Sequence, residues 1–432
     1  MSTLKAVRGT RDLLPPETAL WNRIEKTARQ VFTRYNFGEI RTPIFEDTTL
    51  FARGVGEETD IVSKEMYTWE DRARAQSEKT QSLTLRPENT AGVVRAYIEH
   101  QLGESGHLQK LYYVGPQFRR ERPQKGRYRQ FSQIGAEVIG PPSAGSESPL
   151  RDAEVLEMLA TLLDELGITG WTLELNSVGS PGDRARYNEV LRAALVPLAP
   201  QMCEDCQRRA VTNPLRVLDC KVPADQPIID TLPKMADSLD EDSKKHFAAV
   251  TAALDAAGVP YTRNHRLVRG LDYYTRTTFE FTHGGLGAQN ALLGGGRYDG
   301  LSEAIGGPRA PGIGFAMGED RLVLTLQALE TAREPEKREP EKIDAFIAPL
   351  GEGLNAAGLA LARELRRAGL RIELGEGGFR LKKSFEAADK TARRIVILGE
   401  DELQSGILTV KTFATGMQTK VNRGELAAYL SQ

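Results

Sequence analysis

The sequence has few cysteines, no long hydrophobic run and almost no net charge. Its three cysteines are an odd number, which cannot complete a disulfide framework and is typical of a reducing compartment. No apolar stretch approaches the ~20 residues that a membrane-spanning helix needs. The N-terminal segment MSTLKAVRGTRD lacks the apolar core of a signal peptide. We therefore expect a cytoplasmic protein without a membrane partner.

The balance of charge excludes a polycation. Against 57 Lys and Arg residues stand 59 Asp and Glu residues, which gives a formal net charge of −2 at pH 7. The composition, 40% hydrophobic and 27% charged, is that of a globular protein. Any contact with nucleic acid must therefore be made by a local basic surface.

The three cysteines, Cys203, Cys206 and Cys220, lie close together in the sequence. A Cys-x-x-Cys pair with a third cysteine could be part of a zinc site. No further cysteine or histidine follows nearby as a fourth ligand, and His246 is the closest later candidate. We favour a packed turn with reduced thiols and expect no metal.

The 432 residues are enough for two to four domains. A helix with one apolar stripe is predicted for 17–36. The run EPEKREPEK is punctuated by proline and charge, which is typical of a linker. After it, strands and helices alternate as in a small α/β domain with a largely parallel sheet. The predicted parts are 1–175, an inserted helical module at 176–260, 261–333, the linker 334–342, and 343–432.

The segment Phe118–Glu137, FRRERPQKGRYRQFSQIGAE, is predicted to form a strand, a basic loop and a returning strand. Because side chains alternate along a strand, Arg119 and Glu121 share one face of the outgoing arm. The corresponding face of the returning arm carries Phe131, Gln133, Gly135 and Glu137. Such a hairpin offers an arginine for phosphate, polar groups for a small ligand and a cationic tip. This combination suits an enzyme that joins a nucleotide, a small polar molecule and a nucleic acid.

Two further segments carry polar groups next to predicted strands. In TLRPENT, Glu88 and Thr90 lie at a helix N-terminus, where they hold an ammonium group or simply cap the helix. In LVRGLDYYTRTTFEF, Arg269 lies in a glycine turn and either stabilises a transferring carboxylate or phosphate or forms a structural ion pair. The sequence alone leaves both alternatives open.

Two further candidate ligand-binding segments contain several glycines. LLGGGRYDGL, Leu292–Leu301, lacks the patterns of a P-loop and of a dinucleotide fingerprint, but its glycines allow a ligand close to a strand. GIGFAMGEDRL, Gly312–Leu322, leads into a helix whose first turns contain Arg321, within reach of a nucleotide.

Together these segments resemble the bacterial-type histidyl-tRNA synthetases, a family of class II aminoacyl-tRNA synthetases, over nearly the whole chain. The segment GTRDLLPPE, Gly9–Glu17, resembles the start of the dimer-forming motif 1. The hairpin resembles motif 2, and Gly312–Leu322 resembles motif 3. Leu267–Phe281 resembles a histidine-specific signature, which makes the resemblance specific.

The resemblance implies an α+β catalytic domain, with a six- or seven-stranded antiparallel sheet flanked by helices, in the parts 1–175 and 261–333. It also implies that 176–260 is an inserted helical domain and that 343–432 is a C-terminal α/β anticodon-binding domain. A homodimer is implied as well. The reaction would activate L-histidine with ATP and transfer it to histidine tRNA.

The resemblance also implies residue roles in ATP binding. Arg119 and Arg269 are the catalytic residues that hold the α-phosphate. Glu121 and Arg127 contact ATP, and Arg321 contacts its γ-phosphate. A Mg²⁺ ion bridges the β- and γ-phosphates.

For histidine, the implied ring partners are Glu137 and Tyr274, with Tyr298 closing the pocket. The remaining implied histidine-binding residues are Glu88, Thr90, Gln133 and Tyr273. Gln124 and Arg129, in the hairpin loop, are implied to meet the extra 5′ guanosine of histidine tRNA.

One alternative is a catalytically inactive, histidine-binding regulatory paralogue of ATP phosphoribosyltransferase. Such proteins usually lack the anticodon domain and lose the signature arginines. Here Arg119, Arg269 and Arg321 are present, and 343–432 supplies the extra domain. A synthetase of another specificity is disfavoured by LVRGLDYY.

Overall fold

The computed structural model describes residues 3–56, 59–71, 80–124, 126–286, 290–332 and 342–432. It contains two compact units, Met1–Arg333 and Glu334–Gln432. The linker predicted for 334–342 lies outside the described residues except for its last residue. Within the described ranges, no helix is both long enough and apolar enough to cross a membrane.

The first unit contains strands β1–β11 and helices α1–α10. The strands are β1 (Gly38–Glu39), β2 (Phe45–Asp47), β3 (Tyr67–Asp71), β4 (Gln81–Leu85), β5 (Gln109–Phe118), β6 (Gln130–Ile139), β7 (Trp171–Ser177), β8 (Thr262–Arg263), β9 (Thr275–His283), β10 (Ala291–Arg297) and β11 (Gly312–Gly318). The helices are α1 (Glu17–Arg34), α2 (Thr48–Val55), α3 (Thr90–Glu99), α4 (Pro149–Glu165), α5 (Pro181–Leu195), α6 (Glu204–Thr212), α7 (Gln226–Ile229), α8 (Glu241–Ala257), α9 (Leu301–Ala304) and α10 (Glu319–Ala332).

Six of these strands form an antiparallel sheet in the order β5-β6-β11-β10-β9-β7. The two-residue strands β1 and β8 pair in parallel with the outer strands β5 and β7. The antiparallel sheet that the resemblance implies is confirmed, and these short edge pairs make it eight strands wide rather than six or seven. A smaller sheet has the order β2-β4-β3.

Helices α1 and α4 pack on one face of the large sheet. The apolar stripe predicted for the first helix is buried there, because Ile24, Ala28 and Val31 have no exposed surface. Each large apolar side chain buried in this way contributes about 1.5–3 kcal/mol. In β6, Ile134 and Ala136 point to this core. The alternate residues of β6 therefore face the opposite side of the sheet.

The residues after β7 form a helical module with a small apolar core of its own. That core contains Tyr187, Leu191, Cys206, Val217, Cys220, Ile229 and Leu239, among others. Helix α8 also lies within the predicted insertion 176–260, but Val250 and Leu254 of this helix are buried in the main core below the large sheet. The buried residues of the module's apolar cluster therefore all precede α8, and Val268, after that helix, packs against them.

The second unit is an α/β domain, as the alternating pattern predicts. Its elements are β12 (Ile343–Pro349), α11 (Asn355–Arg367), β13 (Ile372–Leu374), α12 (Leu381–Thr391), β14 (Ala392–Leu398), α13 (Glu400–Ser405), β15 (Ile407–Thr412), β16 (Gln418–Asn422) and α14 (Leu426–Leu430). The sheet order is β13-β12-β14-β15-β16, with the first three strands parallel and the last two antiparallel.

Candidate active site

The predicted hairpin is formed by β5 and β6, which pair over their full length. Its tip is closed by two backbone hydrogen bonds, in which the N–H of Gln124 and the N–H of Arg127 each donate to the other residue's carbonyl, at 3.1 and 2.9 Å. On the other side of β6, Gln133 lies opposite Gly318 of β11 and Glu137 lies opposite Gly314. The two side chains thus share the sheet face that α1 and α4 leave uncovered.

A cavity of about 560 Å³ opens above this face. It brings together six residues that come from distant parts of the sequence. These are the predicted residues Arg119, Glu121, Arg127, Gln133, Arg269 and Arg321. Four of these six residues are arginines, which suits a ligand that carries several phosphate groups.

Arg119 enters the cavity directly after β5. Its Nε donates to the carbonyl of Pro87 at 2.9 Å, and its guanidinium lies 5.2 Å from the ring centroid of Phe131. The carbonyl of Pro87 and the ring of Phe131 therefore orient Arg119 before any ligand arrives. In the same hairpin, Arg127 forms an ion pair with Glu121 at 3.2 Å.

Arg269 reaches the cavity from the other side and forms an ion pair with Glu280 of β9. Glu280 lies opposite Gly294 of β10, and a Cβ at Gly294 would be 2.6 Å from the guanidinium carbon of Arg269. The first glycine of the predicted run is thus needed for Arg269 to lie flat on the strand. Although burial favours the neutral guanidine, Glu280 raises the pKa of Arg269 above its ordinary value.

Arg321 lies in the first turn of α10 and donates to the carbonyl of Ala291 at 2.7 Å. Burial lowers the pKa of Arg321 from its ordinary value, and the positive charge of Arg127 lowers it further. An anionic ligand that bound both guanidinium groups would relieve this repulsion.

Next to the cavity, a buried polar cluster surrounds Glu137. Thr90 donates its hydroxyl to Glu137 Oε1 at 2.8 Å. Glu88 accepts from the N–H groups of Thr90 and Ala91 at 2.7 and 3.0 Å, so it does cap α3. Burial raises the pKa of Glu137 to about 8 and also raises the pKa of Glu88. The helix cap that the sequence offered as the alternative to ligand binding therefore exists, and it lies beside the carboxyl group of Glu137.

Three tyrosines enclose this cluster. The ring centroids of Tyr273 and Tyr274 are 4.7 Å apart, and those of Tyr273 and Tyr298 are 6.0 Å apart in an edge-to-face arrangement. Gly314 leaves room for Glu137, because a Cβ there would come within 1.7 Å of Glu137 Oε2. The seven predicted histidine-binding residues are thus arranged around one face of β6.

Among the buried polar atoms at this site, Gln133 Oε1 and Arg269 Nε have no hydrogen-bond partner among the described residues. The Glu137 carboxyl group and the Tyr298 hydroxyl interact with each other. Because buried polar groups in proteins are nearly always paired, a concentration of unpaired ones indicates a place for a polar ligand.

The two residues predicted to contact tRNA do not line the cavity. Gln124 is exposed at the tip of the hairpin. Arg129 packs against the N-terminal segment, where its backbone N–H donates to Gly9 at 2.7 Å and its guanidinium to Arg8 at 3.3 Å. In the same segment, Arg11 pairs with Asp320 at 2.9 Å. The segment resembling motif 1 therefore contacts those resembling motifs 2 and 3.

Glu280 was not predicted as a site residue, although it is the only acidic residue of β9. Nor were three residues of the helical module that line the same cavity, Arg216, Asp219 and Lys221. Arg216 donates to the carbonyl of Gly270 at 2.6 Å, next to Arg269. No local pattern in the sequence indicates that this module reaches the site.

The antiparallel sheet, the hairpin across its open face and the arginines that converge there define a class II aminoacyl-tRNA synthetase. A family model described as histidyl-tRNA synthetase matches residues 9–322, and one described as an anticodon-binding domain matches residues 344–432. The chain belongs to the histidyl-tRNA synthetase family.

Relatives of known name agree with this assignment. The chain is 72% identical to a histidine–tRNA ligase of Koribacter versatilis over 99% of its own length and 96% of the relative. It is 56% identical to a histidine–tRNA ligase of Solibacter usitatus over 99% of both chains. The crystal structure of the apo histidyl-tRNA synthetase of S. aureus is similar over the full length of both chains, with a TM-score of 0.79 and 37% identity. The activity is that of an aminoacyl-tRNA ligase, not of a regulatory paralogue.

Proposed function

We propose that ATP binds in the 560 Å³ cavity and that histidine binds in the buried cluster beside it. Gln133 lines the cavity and Glu137 lies in the cluster, and only Gly135 separates them on one face of β6. Two ligands placed in this way meet above β6. The histidine carboxylate then attacks the α-phosphorus of ATP and displaces pyrophosphate. In the second step, the terminal ribose hydroxyl of histidine tRNA attacks the activated carbonyl and releases AMP.

In the first step, Arg119 and Arg269 hold the α-phosphate from two sides. Arg119 follows β5 and Arg269 lies over β10, so β6 and β11 run between them. Phosphoryl transfer depends more on positioning and charge neutralisation than on a base. Both guanidinium groups are already oriented, by Pro87 and by Glu280, which reduces the reorganisation needed in the transition state.

The remaining contacts with ATP are assigned to the rim of the cavity. Glu121 and Arg127 contact ATP at the hairpin, and Arg321 binds the γ-phosphate. A Mg²⁺ ion that enters with ATP neutralises the β- and γ-phosphates. Carboxylate oxygens, which this ion prefers, are offered in the cavity by Glu121 and Glu280.

The observation that carries the assignment of the histidine site is the buried polar cluster of Glu88, Thr90, Glu137 and Tyr298 beside the cavity, together with Gln133 Oε1, which has no partner among the described residues. Each missing hydrogen bond at a buried polar group costs about 1–3 kcal/mol, so a ligand that supplies partners is bound tightly. Glu137 and Tyr274 bind the imidazole ring, and Tyr298 closes the pocket. Glu88, Thr90, Gln133 and Tyr273 complete the contacts with the amino and carboxylate groups.

We also propose how histidine tRNA and a second copy of the chain bind. Gln124 and Arg129 meet the 5′ end of histidine tRNA, and 343–432 binds its anticodon. Two copies of the chain form a homodimer through the region of Gly9–Glu17. The domain boundaries are those predicted from the sequence, except that the core of the inserted module ends before α8. The enzyme works in the cytoplasm.

Histidine-dependent exchange of pyrophosphate into ATP tests the assignment of the site. We expect exchange with histidine alone among the amino acids, dependence on Mg²⁺, and loss by at least ~10²-fold in Arg269→Ala. Arg266→Ala is the matched control, since Arg266 lies three residues earlier and pairs outside the cavity with Asp230 at 2.9 Å. Equal loss in both variants, or none in Arg269→Ala, would contradict the role of Arg269.

A further inference from the structure

The three cysteines of the helical module converge with a fourth metal-binding group, the carboxylate of Asp225. Cys203, Cys206, Cys220 and Asp225 each offer one ligand atom, and these four atoms lie within 4.8 Å of one another. The Sγ atoms of Cys203 and Cys220 are 3.9 Å apart, and Cys220 Sγ is 3.2 Å from Asp225 Oδ2. His246 is elsewhere, because its Nε2 lies 2.8 Å from Asp152 Oδ2.

These distances are close to those of a tetrahedral zinc site. With Zn–S bonds of about 2.3 Å and a Zn–O bond of about 2.1 Å, neighbouring ligand atoms are about 3.6–3.8 Å apart. The cluster therefore needs only side-chain adjustments of about 1 Å or less to enclose an ion.

Local structure places the ligand atoms on one side of the chain. Cys203 is the residue before α6 and Cys206 lies in the first turn of that helix, so both thiols face the same direction. Cys220 accepts a hydrogen bond from the N–H of Val222 at 3.4 Å, as metal-bound thiolates commonly do. Asp225 accepts from the N–H of Cys203 at 3.1 Å, which fixes the carboxylate in the cluster.

Burial argues against the simpler interpretation of packed, reduced thiols. Cys206 is fully buried, Cys220 is 5% exposed and Asp225 is 1% exposed. Asp225 accepts hydrogen bonds from the N–H of Cys203 and from the Cys220 thiol, but these donors carry no net charge, so a cation among the three thiols would compensate the carboxylate more fully. The surrounding module also consists mostly of short helices and turns, and modules of this size commonly depend on a metal or disulfides for stability.

We propose that Cys203, Cys206, Cys220 and Asp225 together bind one structural Zn²⁺ ion. Three thiolates select a soft ion with tetrahedral preference, and four protein ligands leave no open position for catalysis. The ion holds the segment around Cys220, whose neighbours Asp219 and Lys221 line the ATP-sized cavity. It therefore stabilises the part of the module that contacts the active site.

The test is the metal content of the full-length protein, purified without a histidine tag and dialysed against metal-free buffer. Elemental analysis should find about one zinc per chain in the wild type, and clearly less in Cys206→Ser and Asp225→Asn. Asp205→Asn is the matched control, because Asp205 precedes Cys206 but its side chain is 63% exposed and pairs with Arg208. Zinc content equal to the buffer blank in wild-type protein, together with no uptake of added Zn²⁺, would overturn the proposal.

A second measurement on the wild type avoids variants that fail to fold. A mercurial reagent titrates thiols in the native protein while a chromogenic chelator reports released zinc. We expect release of one zinc as the three thiols react, and Co²⁺ should give the visible d–d bands of a tetrahedral thiolate site after exchange. Thiols that react without metal release, in a protein that shows no such cobalt spectrum, would establish the reduced-thiol interpretation instead.

Discussion

Thr90 donates its hydroxyl to Glu137 across 2.8 Å and so joins the first residue of α3 to the buried part of β6. Tyr113 of β5 lies 3.5 Å from the same carboxyl oxygen. The Tyr298 hydroxyl also interacts with the Glu137 carboxyl group. The fold therefore holds this carboxyl group in place before any substrate binds.

This environment predicts an unusual dependence of stability on pH. Burial raises the pKa of Glu137 from 4.5 to about 8, so the folded protein keeps a proton that the unfolded chain loses above pH ~4.5. Glu137 alone should therefore lower the stability as pH rises from about 5 to 8, by at most about 1.4 kcal/mol per pH unit, and the buried Glu319, whose pKa is raised to about 7, should add to this fall. Urea unfolding of the ligand-free protein should show this fall in the wild type and a flatter curve in Glu137→Gln. Parallel curves would mean that Glu137 is ionised in the folded state.

Gly294→Ala should lower the catalytic rate while leaving the stability nearly unchanged. The new Cβ would lie 2.6 Å from the Arg269 guanidinium carbon, and this flexible side chain can move aside without unfolding the sheet. A displacement of about 1 Å at a positioned group costs on the order of 10²-fold in rate. Pyrophosphate exchange should fall by that factor while the melting temperature changes little.

Gly300→Ala is the control, since a Cβ at Gly300 meets no atom within 4 Å. It should leave both exchange and melting temperature unchanged. If Gly294→Ala exchanged pyrophosphate at the wild-type rate, the position of Arg269 on β10 would not matter for activity.

The buried ion pair of Asp152 and Arg297 should stabilise the catalytic unit. Both side chains are completely buried, and although burial opposes ionisation, Arg297 and His246 lower the pKa of Asp152 to about 2. Asp152→Asn leaves Arg297 undercompensated and should cost about 3–5 kcal/mol at pH 7. Guanidinium unfolding should show this loss, and the difference should shrink as pH falls from 3.8 through 2, where wild-type Asp152 becomes protonated.

Asp164→Asn provides the comparison on the same helix. Asp164 is exposed and only accepts from the indole N–H of Trp171 at 2.9 Å, which an amide oxygen can replace. Its effect should stay within about 0.5 kcal/mol. A similar small effect for Asp152→Asn would argue against a stabilising role for the buried pair.

Gln124→Ala should affect the transfer step alone. The side chain is exposed at the hairpin tip, outside the cavity, so loss of one hydrogen bond to tRNA should lower kcat/KM for charging by roughly three- to tenfold. Pyrophosphate exchange, which needs no tRNA, should stay at the wild-type rate. A parallel decrease in both assays would place Gln124 at the ATP site instead.

The hairpin and its polar face could be predicted because strand alternation is a local property. Gln133 and Glu137 share a face in any regular strand, whatever they pair with. The pairing of Glu280 with Arg269 could not be predicted in this way, because it depends on how β9, β10 and a preceding turn meet in space. The sequence shows a lone acid in a strand but not its partner.

The helical insertion illustrates a second limit. Periodicity shows that α8 has an apolar face, but only the packed structure shows that Leu254 lies in the main core rather than in the module. Asp225 was overlooked for a related reason. Carboxylates are common at the surface, and only its burial beside three thiols distinguishes this one.

The order of strands in the large sheet has a consequence for synthesis on the ribosome. Strands β10 and β11 fill the middle of the sheet, between β6 and β9, but they are among its last strands to be made. The edge of β9 stays unpaired until about residue 297 has emerged, and the edge of β6 until about residue 318, so each can pair with another chain in the meantime. The growing polypeptide is thus prone to aggregation until β10 and β11 have been made. The pairing of β11 then completes the sheet and assembles the catalytic site at the same time.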